Sequence, residues 1–150
     1  MPINYYFWQN KLQNFKTHFL FEQLTLLATR KNKTVTRLSK NSKLIKTIIH
    51  AIQEKKGSNI ITLDLRKINE AVADFFIICE ATNTTQVKAI CDFIENQVKD
   101  ECGEQPFRHE GQKTAQWILI DYVNVVVHVM HQDTRKFYKL EDMWSDAQLT

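Results

Sequence analysis

A chain of 150 residues with 43% apolar and 25% charged side chains has the composition of one ordinary globular core, which excludes fibrous and intrinsically disordered classes. Its three cysteines, Cys79, Cys91 and Cys102, include no CxxC pair, arguing against both a disulfide framework and a zinc cage and for free thiols. The net charge of +3 conceals a polarity: residues 1–41 carry +6 and the remainder −3, and a mildly acidic body argues against direct DNA binding.

The first 41 residues read as an atypical basic extension. Tyr5, Phe7, Trp8, Leu12, Phe15, Phe19, Leu20, Leu24 and Leu27 recur near helical spacing, predicting a helix over 5–28 and a polar connector over 29–42. The apolar stretch at 19–28 is too short for a spanning helix and is broken by Glu22, and the layout of a secretory signal is missing. Alternatives stay open here: a start at a non-Met codon near Val35, or, for a real segment, an amphipathic contact with the body, with a second copy or with a membrane surface.

From Ser42 onward the order reads α-β-β-α-β-β-α. Ser42 is placed to cap a helix to about Lys56 that presents Leu44, Ile45, Ile48, Ile49 and Ile52 on one face, with Gly57 ending it. Strands are expected at 60–65 and 74–79, joined by a connector over 66–72. Thr82, Asn83 and Thr84 offer caps for a helix through about Glu101, its inward face formed by Val87, Ile90, Cys91, Ile94 and Val98, and Gly103 and Pro106 terminate it. A short strand at 107–109 leads into the loop 110–115. Two β-branched runs, 117–120 and 125–130, flank a hairpin at 121–124, and Phe137, Leu140 and Trp144 then recur at helical spacing. These elements predict an α/β (α+β) domain, residues 42–150, with a mixed sheet flanked by helices and a C-terminal β-hairpin followed by a helix.

The chemistry-bearing residues are scattered. Nucleotidyl transfer requires metal-binding carboxylates close together and a small-residue loop around the phosphates, but Asp64, Asp74 and Asp121 are isolated and the chain has three glycines in all. His128 and His131, three apart on a strand, point to opposite faces and do not form a metal pair. No catalytic, cofactor or metal residue is therefore expected. Arg135 reads as a maker of ordinary helix-face pairs, and Asp121 first as a cap at the hairpin turn.

The blocks Leu63-Asp64, Ala73 to Cys79, Thr82 to Ala89, Glu110-Gly111, Trp117 to Asp121, Val125 to Val129, Arg135, Phe137-Tyr138, Leu140-Glu141 and Trp144 occur in an order and spacing that resembles the ribosomal silencing factor (Iojap-related) family across residues 44–147. His128 matches the family's pattern, whereas His131 stands where Gln is usual. The resemblance implies a nucleotidyltransferase-like fold used as a binding module, not an enzyme. It implies docking to the large ribosomal subunit through its protein number fourteen, a block on subunit joining, and repression of translation chiefly under nutrient limitation. It further implies a homodimer in the free state and a setting in a bacterial cytoplasm or an organelle with bacterial-type ribosomes. On that basis the expected contacts are Trp117 as aromatic anchor, with core packing of Trp117 the even alternative, and Glu110 and Gly111 shaping the adjoining loop. Gly111 would let backbone approach the partner closely, and Asp121 and Tyr122 beside the hairpin are second choices. The rival classes are a nucleotide-handling enzyme and a membrane-peripheral adaptor acting through residues 1–41.

Overall fold

Ser42 begins the fold as the sequence predicts: its side chain accepts from the Ile45 amide and caps α1, Lys43–Glu54. The computed structural model describes residues 37–68, 71, 73–144 and 147–149; the helix expected over 5–28 lies outside them. The buried side of α1 carries Leu44, Ile45, Ile48 and Ile52, the stripe read from the periodicity. The left-handed turn that ends α1 falls on Lys56, φ 59°, not on the expected Gly57, whose amide donates to the Ile52 carbonyl at 2.9 Å ahead of β1, Ser58–Asp64. β2, Phe75–Ala81, follows, and Asn83 caps α2, Thr84–Cys102, which Gly103 ends in the left-handed conformation. The chain continues through β3, Arg108–Glu110, β4, Trp117–Asp121, and β5, Val125–His131.

Where one terminal helix was expected there are two short ones. α3, Gln132–Tyr138, stops at Lys139, whose φ of 46° lies in the left-handed region, and α4, Leu140–Met143, starts from that same residue. A two-residue strand, β6, Gln148–Leu149, was not foreseen; it pairs with the outer edge of β1.

Among the described residues the sheet has six strands in the order β3-β4-β5-β2-β1-β6. β2 and β5 are parallel and the other pairings antiparallel, so the sheet is mixed, and α2 lies within the long crossover that a parallel pair requires. Strand alternation divides the interior into two layers. Phe75, Ile77, Cys79, Ile118, Ile120, Val125, Val127 and Val129 face α1 and α2 in the main core. Phe76, Ile78, Val126, His128 and Met130 point the other way and are equally buried; Trp144, at the end of α4, meets Phe76 edge-on at 5.3 Å, and Leu140 of α4 is also fully buried. The three cysteines are free thiols, and burial pushes Cys79 up to about 12 and raises Cys91 as well.

Candidate functional site

The short helices cover only part of that second layer. Toward the β3–β4 edge, alternation brings Arg108 and Glu110 of β3 and Trp117 and Leu119 of β4 onto the same face, and all four are only half-buried. Phe137 and Tyr138, also half-buried, border this area from α3. The result is an aromatic and aliphatic surface rimmed by one ion pair, Arg108 Nη2 to Glu110 Oε1 at 2.9 Å.

Trp117 is fixed from below. Its indole N–H donates to His128 Nδ1 at 3.2 Å, the two rings are 5.8 Å apart, and the Tyr138 ring lies 5.5 Å away on another side. Phe76 meets His128 edge-on at 4.7 Å, which continues the stack into the fully buried layer. Burial holds the His128 imidazole well below its ordinary range, at about 3, so the ring is neutral and its Nδ1 is free to accept from the indole. Trp117 as a whole is half-buried, with its polar edge tied to the interior through His128. His131 does something else, capping α3 by accepting from the Asp133 amide at 3.2 Å.

The remaining sequence-predicted contacts separate. Glu110 stands on the exposed rim with Arg108. Gly111 has φ of 91°, and a Cβ there would lie 1.9 Å from the Trp117 carbonyl oxygen. A close backbone approach at this glycine is made within the chain, against Trp117. Asp121 and Tyr122 are corrections, because both side chains are buried. Asp121 is 0% exposed and its Oδ1 accepts from the Val123 amide at 2.8 Å, the turn-capping role. Tyr122 is 4% exposed and packs in the α1–α2 core, where burial raises its pKa. Leu119 and Arg108 were missed as surface residues; their two-residue spacing from Trp117 and Glu110 was the available signal.

Arg135 does more than its expected role. It makes the helix pair with Glu141, but at 8% exposure it also joins Glu80 and the Asn59 carbonyl in an inward-facing network. The three isolated aspartates are each engaged within the fold: Asp64 by nearby Arg66, whose hydrogen bonds hold its carboxyl below the usual range, Asp74 by the sequence-distant Leu38 amide and Asn124, and Asp121 as described. Among the described residues no three His, Cys, Asp or Glu side chains assemble into a metal site, and no helix is long and apolar enough to cross a membrane. What this geometry offers is a preformed patch with an anchored aromatic at its centre.

A family model described as ribosomal silencing factor during starvation matches residues 38–150. The chain belongs to the ribosomal silencing factor family. It is 42% identical over 106 residues to the ribosomal silencing factor of Bacillus subtilis, which covers 71% of this chain and 88% of that protein. A crystal structure of a Chromobacterium violaceum protein superimposes with a TM-score of 0.65 at 31% identity, covering 69% of this chain and 84% of that one. A mouse relative, 30% identical over 74 residues spanning 48% of this chain and 32% of its own length, is named mitochondrial assembly of ribosomal large subunit protein 1. The family identity places the half-buried Trp117–Tyr138 surface in a protein whose relatives are named for acting on ribosomes.

Proposed function

We propose that this protein silences ribosomes by occupancy. It docks on the large ribosomal subunit through ribosomal protein number fourteen, on the face where the small subunit joins, and so lowers translation when nutrients are short. The observation that carries this reading is the open end of the second sheet layer, where Trp117, Leu119 and Tyr138 form an apolar centre and Arg108 and Glu110 a charged rim. A buried aromatic anchor inside a polar rim is the usual anatomy of a specific protein interface.

An interface of standard size, about 1,600 Å² in total, is specific without being permanent, so the block is a competition governed by concentration and differential affinity. No covalent step enters. Residues 42–150 form the docking unit, and residues 1–41 an extension outside it. The free protein is a homodimer, and it works wherever bacterial-type ribosomes are found, in a bacterial cytoplasm or an organelle.

The test is co-sedimentation of the full chain with separated large and small subunits, followed by their reassociation with and without it. Selective large-subunit binding and fewer joined ribosomes are expected. Absence of large-subunit binding by a folded sample refutes the reading.

A further inference from the structure

α3 and α4 border the surface that carries Trp117, and one side chain ties both helices to the sheet. Arg135 Nε and Nη2 meet Glu141 Oε1 at 2.7 and 2.6 Å, bridging the left-handed break at Lys139. Its Nη1 meets the Asn59 carbonyl at 2.6 Å and Glu80 Oε2 at 3.3 Å. The other Glu80 oxygen accepts from Asn59 Nδ2 at 2.6 Å. Asn59 has φ of 48° within the register irregularity between Ser58 and Ile61, and this irregularity presents its carbonyl to the guanidinium. Thus β1, β2, α3 and α4 converge on one cation.

A buried ion network of this kind contributes little net stability compared with an apolar replacement; in some proteins what it does instead is select one arrangement of the groups it joins. The arrangement selected here has a visible consequence. Tyr138 lies one turn beyond Arg135 on α3, and its ring packs at 5.5 Å against that of Trp117, whose indole is in turn bonded to His128. The path from the guanidinium to the docking surface is one helical turn and one ring contact.

We propose that Arg135 is a positioning residue for the docking surface: by clamping α3 and α4 to β1 and β2 it sets where Tyr138 meets Trp117, and so presents the aromatic anchor to the partner. This rests on the docking reading above. Arg135 itself is too buried to supply the contact, and Arg is required because the planar fork serves Glu141, Glu80 and the Asn59 carbonyl at once.

The experiment is a double-substitution cycle on the full chain, with Arg135→Lys, Tyr138→Ala and both together. Large-subunit affinity is measured by sedimentation, folding by circular dichroism, and the Trp117 indole proton by NMR, assigned through Trp117→Phe. Arg135→Lys keeps the charge and loses the fork, so a folded protein with about tenfold weaker binding and a displaced Trp117 indole resonance is expected. The affinity losses of the two substitutions are expected to be non-additive, because both act through the same ring. A merely stabilising role predicts additive losses and an unmoved indole resonance, and either result overturns the proposal, as does unchanged affinity. Should Arg135→Lys fail to fold, Glu141→Gln weakens the same fork and is read in the same way. Failure of the unsubstituted chain to bind defeats the docking reading by itself; the indole resonance then decides for Arg135, movement supporting positioning and constancy refuting it.

Discussion

Substituting Gly111 by alanine isolates the contact that shapes the rim of the candidate site. The backbone there has φ of 91°, and a Cβ would lie 1.9 Å from the Trp117 carbonyl oxygen and 3.3 Å from the Ile118 Cα. Placing an L-residue in the left-handed half of φ space costs about 1–2 kcal/mol. The oxygen belongs to the backbone of β4, so it cannot swing aside like a side-chain tip; relief requires the 110–115 loop or the start of β4 to move, adding about 1–3 kcal/mol of strain. The sum, about 3 kcal/mol, corresponds to a fall in Tm of roughly 10 °C for a domain of this size. Gly103 supplies the control: it also has positive φ, 68°, but nothing lies within 4 Å of its would-be Cβ. Gly103→Ala should therefore cost only the conformational part, about 1–2 kcal/mol. Urea unfolding followed by far-ultraviolet circular dichroism measures both. Equal destabilisation by the two substitutions would show that the Gly111–Trp117 approach carries no energetic weight.

Trp117→Ala should leave a folded domain, somewhat destabilised by loss of the indole hydrogen bond to His128, and weaken large-subunit binding by about 2 kcal/mol or more, as removal of a central aromatic anchor does; co-sedimentation of the folded variant checks this. Loss of folding would assign the residue to the core alone. His128 makes stability depend on pH: its pKa is about 3 in the folded protein against 6.5 as the ordinary value, so its contribution is fully present above about 6.5 and is lost as pH falls toward 3. The slope in that window is at most about 1.4 kcal/mol per pH unit for this one group, and His128→Gln should flatten it in denaturant titrations at successive pH values. Tyr122→Phe removes a buried hydroxyl that has no hydrogen-bond partner among the described residues, so stability should stay level or rise by about 0.5–1 kcal/mol, with large-subunit binding unchanged. Clear destabilisation, seen by urea unfolding, would mean that the hydroxyl is satisfied in solution.

Much of the fold was legible because its signals are local. Ser42, Asn83 and Gly103 cap their helices as their side chains and conformational freedom dictate, and the apolar stripes of α1 and α2 follow the helical period. Strand order was not legible, since the pairing of Phe75 with Val125 depends on a crossover and leaves no local mark in either run. The break at Lys139 was hidden for a related reason: a lysine announces no left-handed turn, and the two acceptors that draw Arg135 inward from the sheet, Asn59 and Glu80, are distant in sequence. Trp117 was recognisable as an aromatic at a strand's start. Leu119 was not, because the unbroken apolar run 117–120 reads as buried on both sides while the sheet's end leaves one side open. Tyr122 misled by standing beside a turn: Val123 takes the left-handed position, φ 74°, and the tyrosine packs into the core.

The parallel β2–β5 pairing has a temporal consequence. Antiparallel β1 and β2 can zip together as soon as the chain between them has formed, but each residue of β2 waits for a partner 50 positions further along. Until β5 is synthesised, the most apolar strand of the sheet keeps one hydrogen-bonding edge open, since α2 and the β3–β4 pair must be made first. A nascent chain stalled between α2 and β5 would therefore display an apolar strand edge, the kind of template to which other chains add. The same central position that shields β2 in the finished protein makes its enclosure wait for β5.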